Sequence, residues 1–195
     1  MESGAYETPQ EFKPTNVAVA PGGDIYVTDG YGKSYVHRFR ANGDYVQSWG
    51  GVGEAPGKLR CPHGISIDLR GAEPRVLVAD RQNVRLQYFS LDGAFLSEVT
   101  EELRHPCHFD QRGQELLVPD LFGRVTILDG ADRLVVHLGD NPGVEKRPAY
   151  PNLARTERSP GRFISPHAGI WDNDGNIYIV EWISDGRIIK LQRHL

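Results

Sequence analysis

Four stretches of this chain repeat one order of apolar and polar positions. They open at Pro14-Thr15-Asn16-Val17-Ala18-Val19, Pro62-His63-Gly64-Ile65-Ser66-Ile67-Asp68, Arg104-His105-Pro106-Cys107-His108-Phe109-Asp110 and Pro166-His167-Ala168-Gly169-Ile170-Trp171-Asp172. A Gly or polar turn follows each opening, and then an apolar run closed by an acid: Ile25-Tyr26-Val27-Thr28-Asp29, Val76-Leu77-Val78-Ala79-Asp80, Leu116-Leu117-Val118-Pro119-Asp120 and Ile177-Tyr178-Ile179-Val180-Glu181. A third run comes next, as in Val84-Arg85-Leu86-Gln87-Tyr88-Phe89 and Val125-Thr126-Ile127-Leu128. Short strands at a period of roughly 40 residues predict propeller blades. The repeats span about 14–50, 62–100, 104–139 and 166–193. The first three offer four strands each. The fourth offers three, ending at Arg187-Ile188-Ile189-Lys190-Leu191.

The stretch Gly4 to Lys13 has no alternating apolar run, so it is a poor candidate for a strand that closes the last blade. An insertion at about 141–158, rich in Pro and charge, reads either as a lid over one face or as a loose surface loop.

Composition fits this picture. The chain has 195 residues, is 39% hydrophobic, and carries 22 Gly and 13 Pro, enough for one all-β domain punctuated by tight turns. No stretch holds a helical period, and no apolar run approaches the length of a membrane span. The formal net charge of −4 argues against a surface built to neutralise phosphates, so neither nucleic acid nor membrane is expected as a partner. Lys146, Arg147, Arg155, Arg158 and Arg162 form a local basic stretch that reads as solvated surface. Cys61 and Cys107 define no disulfide framework and read as buried thiols. No signal peptide is visible at Met1-Glu2-Ser3-Gly4-Ala5-Tyr6, and the compartment stays open.

Candidate chemistry follows from blade geometry. First strands line the axis of a propeller, and their starting ends share a face with the turns between second and third strands. His63 and His167 start first strands, while Tyr31 and Arg81 sit in such turns. Imidazoles suit zinc. A phenol near a metal serves as a base, and a guanidinium captures a carboxylate in bidentate fashion. The alternative is that Pro-His is a strand-start device whose imidazole bonds a nearby carbonyl. His105 and His108 are further candidate ligands, with a structural role as the alternative. Asp29, Asp80, Asp120 and Glu181, with Arg85, Arg124 and Arg187, read as ion pairs within blades.

At Val27-Thr28-Asp29-Gly30-Tyr31-Gly32-Lys33-Ser34, Pro56-Gly57-Lys58-Leu59-Arg60-Cys61-Pro62-His63 and Val78-Ala79-Asp80-Arg81-Gln82-Asn83 the chain resembles the NHL-repeat propellers, and among them the peptidyl-α-hydroxyglycine α-amidating lyase group. The resemblance implies the last four blades of a six-bladed ring, here an open arc able to self-associate through exposed blade ends. It implies zinc held by His63 and His167, Tyr31 as base, Arg81 as substrate-binding residue, and cleavage of a carbinolamide C–N bond in a peptide-like substrate. Departures are the absent first two blades with their third histidine, Ala168 where the group can have a calcium-binding Asp, and Gly32 in place of a cysteine. The other class is a non-enzymatic NHL module that binds a protein or peptide.

Overall fold

The computed structural model describes residues 3–194, and these divide into two compact units at Glu101/Glu102. Each unit holds two antiparallel blades. In the first unit, blade one is β1 (Asn16–Val19), β2 (Ile25–Thr28), β3 (Tyr35–Phe39) and β4 (Tyr45–Gly50). Blade two is β5 (Pro62–Asp68), β6 (Arg75–Asp80), β7 (Arg85–Phe89) and β8 (Phe95–Val99). In the second unit, blade three is β9 (Asp110–Arg112), β10 (Glu115–Asp120), β11 (Arg124–Leu128) and β12 (Leu134–Leu138). Blade four is β13 (Pro166–Trp171), β14 (Ile177–Glu181) and β15 (Arg187–Leu191). The architecture is that of an all-β propeller with four blades.

The alternation of the sequence explains which face each strand buries. In the first unit Tyr26, Val36, Ile65, Ile67, Val76, Val78 and Phe89 form the core between blades one and two. β6 and β7 are buried on both faces, β6 with the apolar run Val76 to Ala79 and β7 with the polar Arg85 and Gln87 among its buried residues, while β8 at the outer edge is mostly exposed. In the second unit Leu117, Val125, Ile127, Phe163, Ile177 and Ile179 do the same work between blades three and four. The inner strand of blade three is short: the Pro119 carbonyl accepts from the Cys107 amide at 3.0 Å, but Pro119 has no N–H to return the bond. Only a single bridge, Pro106 to Asp120, precedes β9.

The acid at the end of each second strand is a backbone clamp. Asp80 accepts from the Arg60 amide at 2.6 Å, and Asp29 accepts from the Lys13 amide at 2.7 Å. Asp120 accepts from the amides of Arg104 and His105, and Glu181 from those of Ile164 and Ser165. Each clamp ties the segment entering the first strand to the end of the second. An arginine closes three of them: Arg85 on Asp80 at 2.8 Å, Arg124 near Asp120 at 3.8 Å, and Arg187 on Glu181. Blade one differs from the expected pairing. Tyr6 reaches in from the N-terminal segment, donates its hydroxyl to Asp29 at 2.5 Å and meets His37 Nε2 at 2.7 Å. That segment forms a 3-10 turn at Pro9–Glu11, with Tyr6 buried against Phe12 and His37.

In blade three the arginine stands back, and burial pushes the Asp120 carboxyl up to about 6 against the pull of its amide donors. A folded-state value above that of the unfolded chain means the folded state holds the extra proton. Unfolding free energy therefore falls as pH rises from about 4 to about 6. Asp120→Asn is expected to remove that decline, so that the wild-type and variant urea midpoints draw together or cross over this window. A parallel offset at all pH values would exclude the linkage.

The insertion is packed onto the second unit, with the Tyr150 hydroxyl donating to the Leu121 carbonyl at 2.7 Å. Short 3-10 turns at Val144–Lys146 and Arg155–Glu157 flank a cis Tyr150-Pro151 bond. Val144 and Leu153 are buried with Ile164 and Ile183 in a small core. The basic stretch lies at the surface, with Lys146, Arg155 and Arg162 exposed, and part of it is ion-paired. Arg158 and Arg155 bond Asp185 at 2.9 and 3.1 Å, and Arg147 bonds Glu157 at 3.0 Å. Both cysteines are buried free thiols.

Candidate active site

Tyr31, His63 and Arg81 come together in the first unit. Tyr31 lies in the turn between β2 and β3. Its neighbour Gly30 makes the approach possible, because a Cβ there would fall 2.4 Å from the Pro62 carbonyl and 2.8 Å from Thr15 Cγ2. The Thr15 hydroxyl bonds that same carbonyl at 2.7 Å, which fixes the turn to the start of β5. The Tyr31 hydroxyl thereby stands 3.1 Å from His63 Nε2, with the two rings edge to face. Arg81 opens a 3-10 turn, Arg81–Asn83, between β6 and β7. Both of its Nη atoms lie 3.4 Å from the Tyr31 oxygen, and its guanidinium sits 5.4 Å from the centre of the phenol ring.

Burial sorts the three by role. His63 and Arg81 are buried, and Tyr31 is 54% exposed. The rigid groups are at the back and the phenol faces solvent, as expected for a group that meets an incoming molecule. Cys61 is the residue that sequence reasoning missed here. Its sulfur accepts from Arg81 Nη2 at 3.0 Å and props the guanidinium toward Tyr31. Burial pushes the Cys61 thiol up, while the Arg81 charge pulls the other way. The net upward direction keeps it a neutral thiol, so it does not neutralise Arg81. No spacing rule signals this contact, since Cys61 precedes the Pro-His pair and sits at a positive φ of 54°.

Both Pro-His pairs fall on β-bulges. The β5–β6 register shifts between Pro62 and Ile65, and the β13–β14 register shifts between Pro166 and Ala168. A bulge turns a side chain away from its regular alternation, and such irregularities cluster near functional sites. His167 lies on β13 in the second unit and is half-buried. His105 and His108 also belong to the second unit. The His105 ring stacks on Phe122 at 4.4 Å. Burial lowers the proton affinity of His108, whose ring bonds the Gly169 backbone.

Among the described residues no three His, Cys, Asp or Glu gather into a set able to hold a metal. Within the first unit the donors are one imidazole and one phenol, the right chemistry for zinc but a partial set. Among the described residues no helix is long and apolar enough to cross a membrane.

The fold places the chain among the β-propellers, and its repeats are similar to those of NHL-repeat proteins. Human NHL repeat-containing protein 3 is 34% identical over 128 residues, a match covering 62% of this chain and 36% of that protein. The probable peptidyl-α-hydroxyglycine α-amidating lyase of Caenorhabditis elegans is 40% identical over 82 residues, covering 40% of this chain and 22% of that protein. The chain thus resembles both NHL-repeat proteins and the amidating lyase group, and spans about a third or less of these relatives' length. Among solved structures, a streptogramin B lyase aligns with a TM-score of 0.60 at 16% identity, over 95% of this chain and 56% of that one, which shows the shared fold. No protein-family model matches the chain.

Proposed function

We propose that this chain carries part of the substrate face of a lyase acting on peptidyl-α-hydroxyglycine-type C–N bonds. The observation that carries the reading is the Tyr31 hydroxyl, held between His63 Nε2 and the Arg81 guanidinium yet open to solvent. The likeness to the amidating lyase group supports it. Tyr31 takes the proton of the substrate's carbinol hydroxyl. The O–H electron pair forms the C=O bond of glyoxylate, and the C–N pair leaves with nitrogen, which takes up a proton to give the peptide amide. Arg81 holds the substrate carboxylate, the task to which its fork of donors is suited. His63 and His167 are the residues that would hold a zinc ion, which would supply Lewis-acid polarisation of a substrate oxygen.

The test follows glyoxylate release from an N-acyl-α-hydroxyglycine, with metal content measured in parallel. Expected are turnover that chelator abolishes and zinc restores, and loss of bound zinc in His63→Ala and His167→Ala. No glyoxylate from zinc-loaded protein would overturn the lyase reading, and zinc unchanged in both variants would overturn the metal site.

A second reading, a module that binds a protein or peptide without chemistry, is favoured by large apolar side chains at the surface, Ile188 at 74% and Trp182 at 58% exposure. Such binding would persist in excess chelator.

A further inference from the structure

A run of hydrogen bonds in blade one has a single way to place its protons. It leads from Tyr45 on β4 to Asp29 at the end of β2. The Tyr45 and Ser48 oxygens lie 2.9 Å apart, and Ser48 Oγ is 2.6 Å from His37 Nδ1. His37 Nε2 is 2.7 Å from the Tyr6 hydroxyl, which is 2.5 Å from Asp29 Oδ2. The Asp29 carboxylate is an acceptor here, and it also takes the amides of Lys13 and Lys33. Tyr6 has one hydroxyl proton and gives it to Asp29. His37 Nε2 must then carry the ring hydrogen and donate to the Tyr6 oxygen. Nδ1 is left bare, so the Ser48 hydroxyl donates to it, and Tyr45 in turn donates to Ser48.

Ser48 therefore aims its proton at a base whose tautomer is fixed from behind. The strands set this up, because His37 and Ser48 face each other across β3 and β4. The rings of Tyr6, Phe12 and Tyr35 surround the imidazole, with centroids 5.5 to 6.0 Å away. Burial lowers the proton affinity of His37 against the pull of Asp29, which keeps the ring neutral and able to accept a proton at neutral pH. A hydroxyl, a base in contact with it and a third group that orients the base are the parts of an activated nucleophile.

Access follows the same gradient. Tyr6, Asp29 and His37 are buried, while Ser48 is half-buried on the outer strand. In blade two the facing pair is Gln87 and Glu98. Glu98 is exposed even with blade one packed in front of blade two, so the outer strand itself keeps this position open to solvent. Blade three holds a hydroxyl, an imidazole and an acid at Thr126, His137 and Glu102, but Thr126 is wholly buried and out of reach of a reagent.

We infer that Ser48 is a nucleophile, with His37 as its general base, that takes acyl groups from activated esters. Ser48 Oγ attacks the ester carbonyl, and its proton passes to His37 Nδ1 as the Oγ–C bond forms. The ester C–O bond then breaks, and the departing alcohol takes that proton. Water deprotonated by the same nitrogen cleaves the acyl-serine to the free acid and restores Ser48. The inference is independent of the lyase reading, since Tyr31, His63 and Arg81 take no part in it.

The test uses the full chain and two probes. A fluorophosphonate forms a P–O bond to an activated serine with loss of fluoride, and p-nitrophenyl acetate reports acyl transfer. Expected are an adduct that peptide mass spectrometry places on Ser48, and p-nitrophenol release above the buffer rate that Ser48→Ala abolishes. His37→Gln should slow both reactions by about 10²-fold or more. Tyr6→Phe leaves the Nε2 hydrogen without its acceptor and frees the tautomer, and it should slow them about tenfold or more. Circular dichroism confirms that each variant is folded, and Tyr6→Phe decides if His37→Gln is not. No adduct on Ser48 in the wild type would overturn the inference. So would an adduct that forms as fast in the folded variants, which would leave the contacts of His37 a structural role alone.

Discussion

Replacing Asp80 by alanine is expected to lower the unfolding free energy by about 3–5 kcal/mol. The carboxylate is wholly buried and accepts four bonds: from the Arg60 amide at 2.6 Å, Asn83 Nδ2 at 2.7 Å, Arg85 Nε at 2.8 Å and Gln87 Nε2 at 3.0 Å. Removing it leaves the buried Arg85 without the partner on its Nε and strips three other donors. Arg85 keeps Glu98 and the Lys58 carbonyl, which moderates the loss. At Asp129 the comparison is Arg133→Ala, which removes a 79% exposed ion-pair partner, leaves the amides of Ala131 and Arg133 on the carboxylate, and is expected to cost about 0–1 kcal/mol. The comparison is read from urea midpoints, and a change at Asp80 no larger than that in Arg133→Ala would show that the clamp is not a stabilising element.

The second large effect falls on turnover. On the proposed lyase reading, Tyr31→Phe is expected to reduce glyoxylate release by about 10²–10⁴-fold, the range for loss of a general base. The hydroxyl is the only group removed, and it lies at an exposed rim, so the urea midpoint should hardly move. Arg81→Lys keeps the charge but loses the fork, and it should raise KM more than it lowers kcat. Activity in Tyr31→Phe within a few-fold of wild type would remove Tyr31 from the mechanism.

Much of the fold was legible in the sequence because each blade repeats the same solution. The alternation at Ile65-Ser66-Ile67 and the unbroken run Val76-Leu77-Val78-Ala79 record half-buried and fully buried strands. The recurrence of an acid before an arginine anticipated the pairs of Asp80, Asp120 and Glu181. Blade one broke the rule, because the partner of Asp29 is Tyr6, a lone residue outside any repeat. The docked insertion was illegible for a similar reason: Val144 and Leu153 are isolated apolar residues whose core includes Ile164 and Ile183, from elsewhere in the chain. Tyr31, His63 and Arg81 could be nominated together because blade geometry assigns turns and strand starts to one face. The prop supplied by Cys61 could not, since it depends on a positive φ and a bulge that periodicity does not encode.

The Tyr6–Asp29–His37 contact has a bearing on how such a chain can be rearranged. Blades two and three carry the closing residue of their clamp within their own repeat, at Arg85 and Arg124, so duplicating or transplanting either moves the whole device. Blade one carries an incomplete one, completed from the segment ahead of it. Grafted elsewhere without residues 6–13, it would arrive with a buried carboxylate and a buried imidazole facing an empty space. In recombination between repeats, that makes blade one the poor donor and blades two and three the portable cassettes.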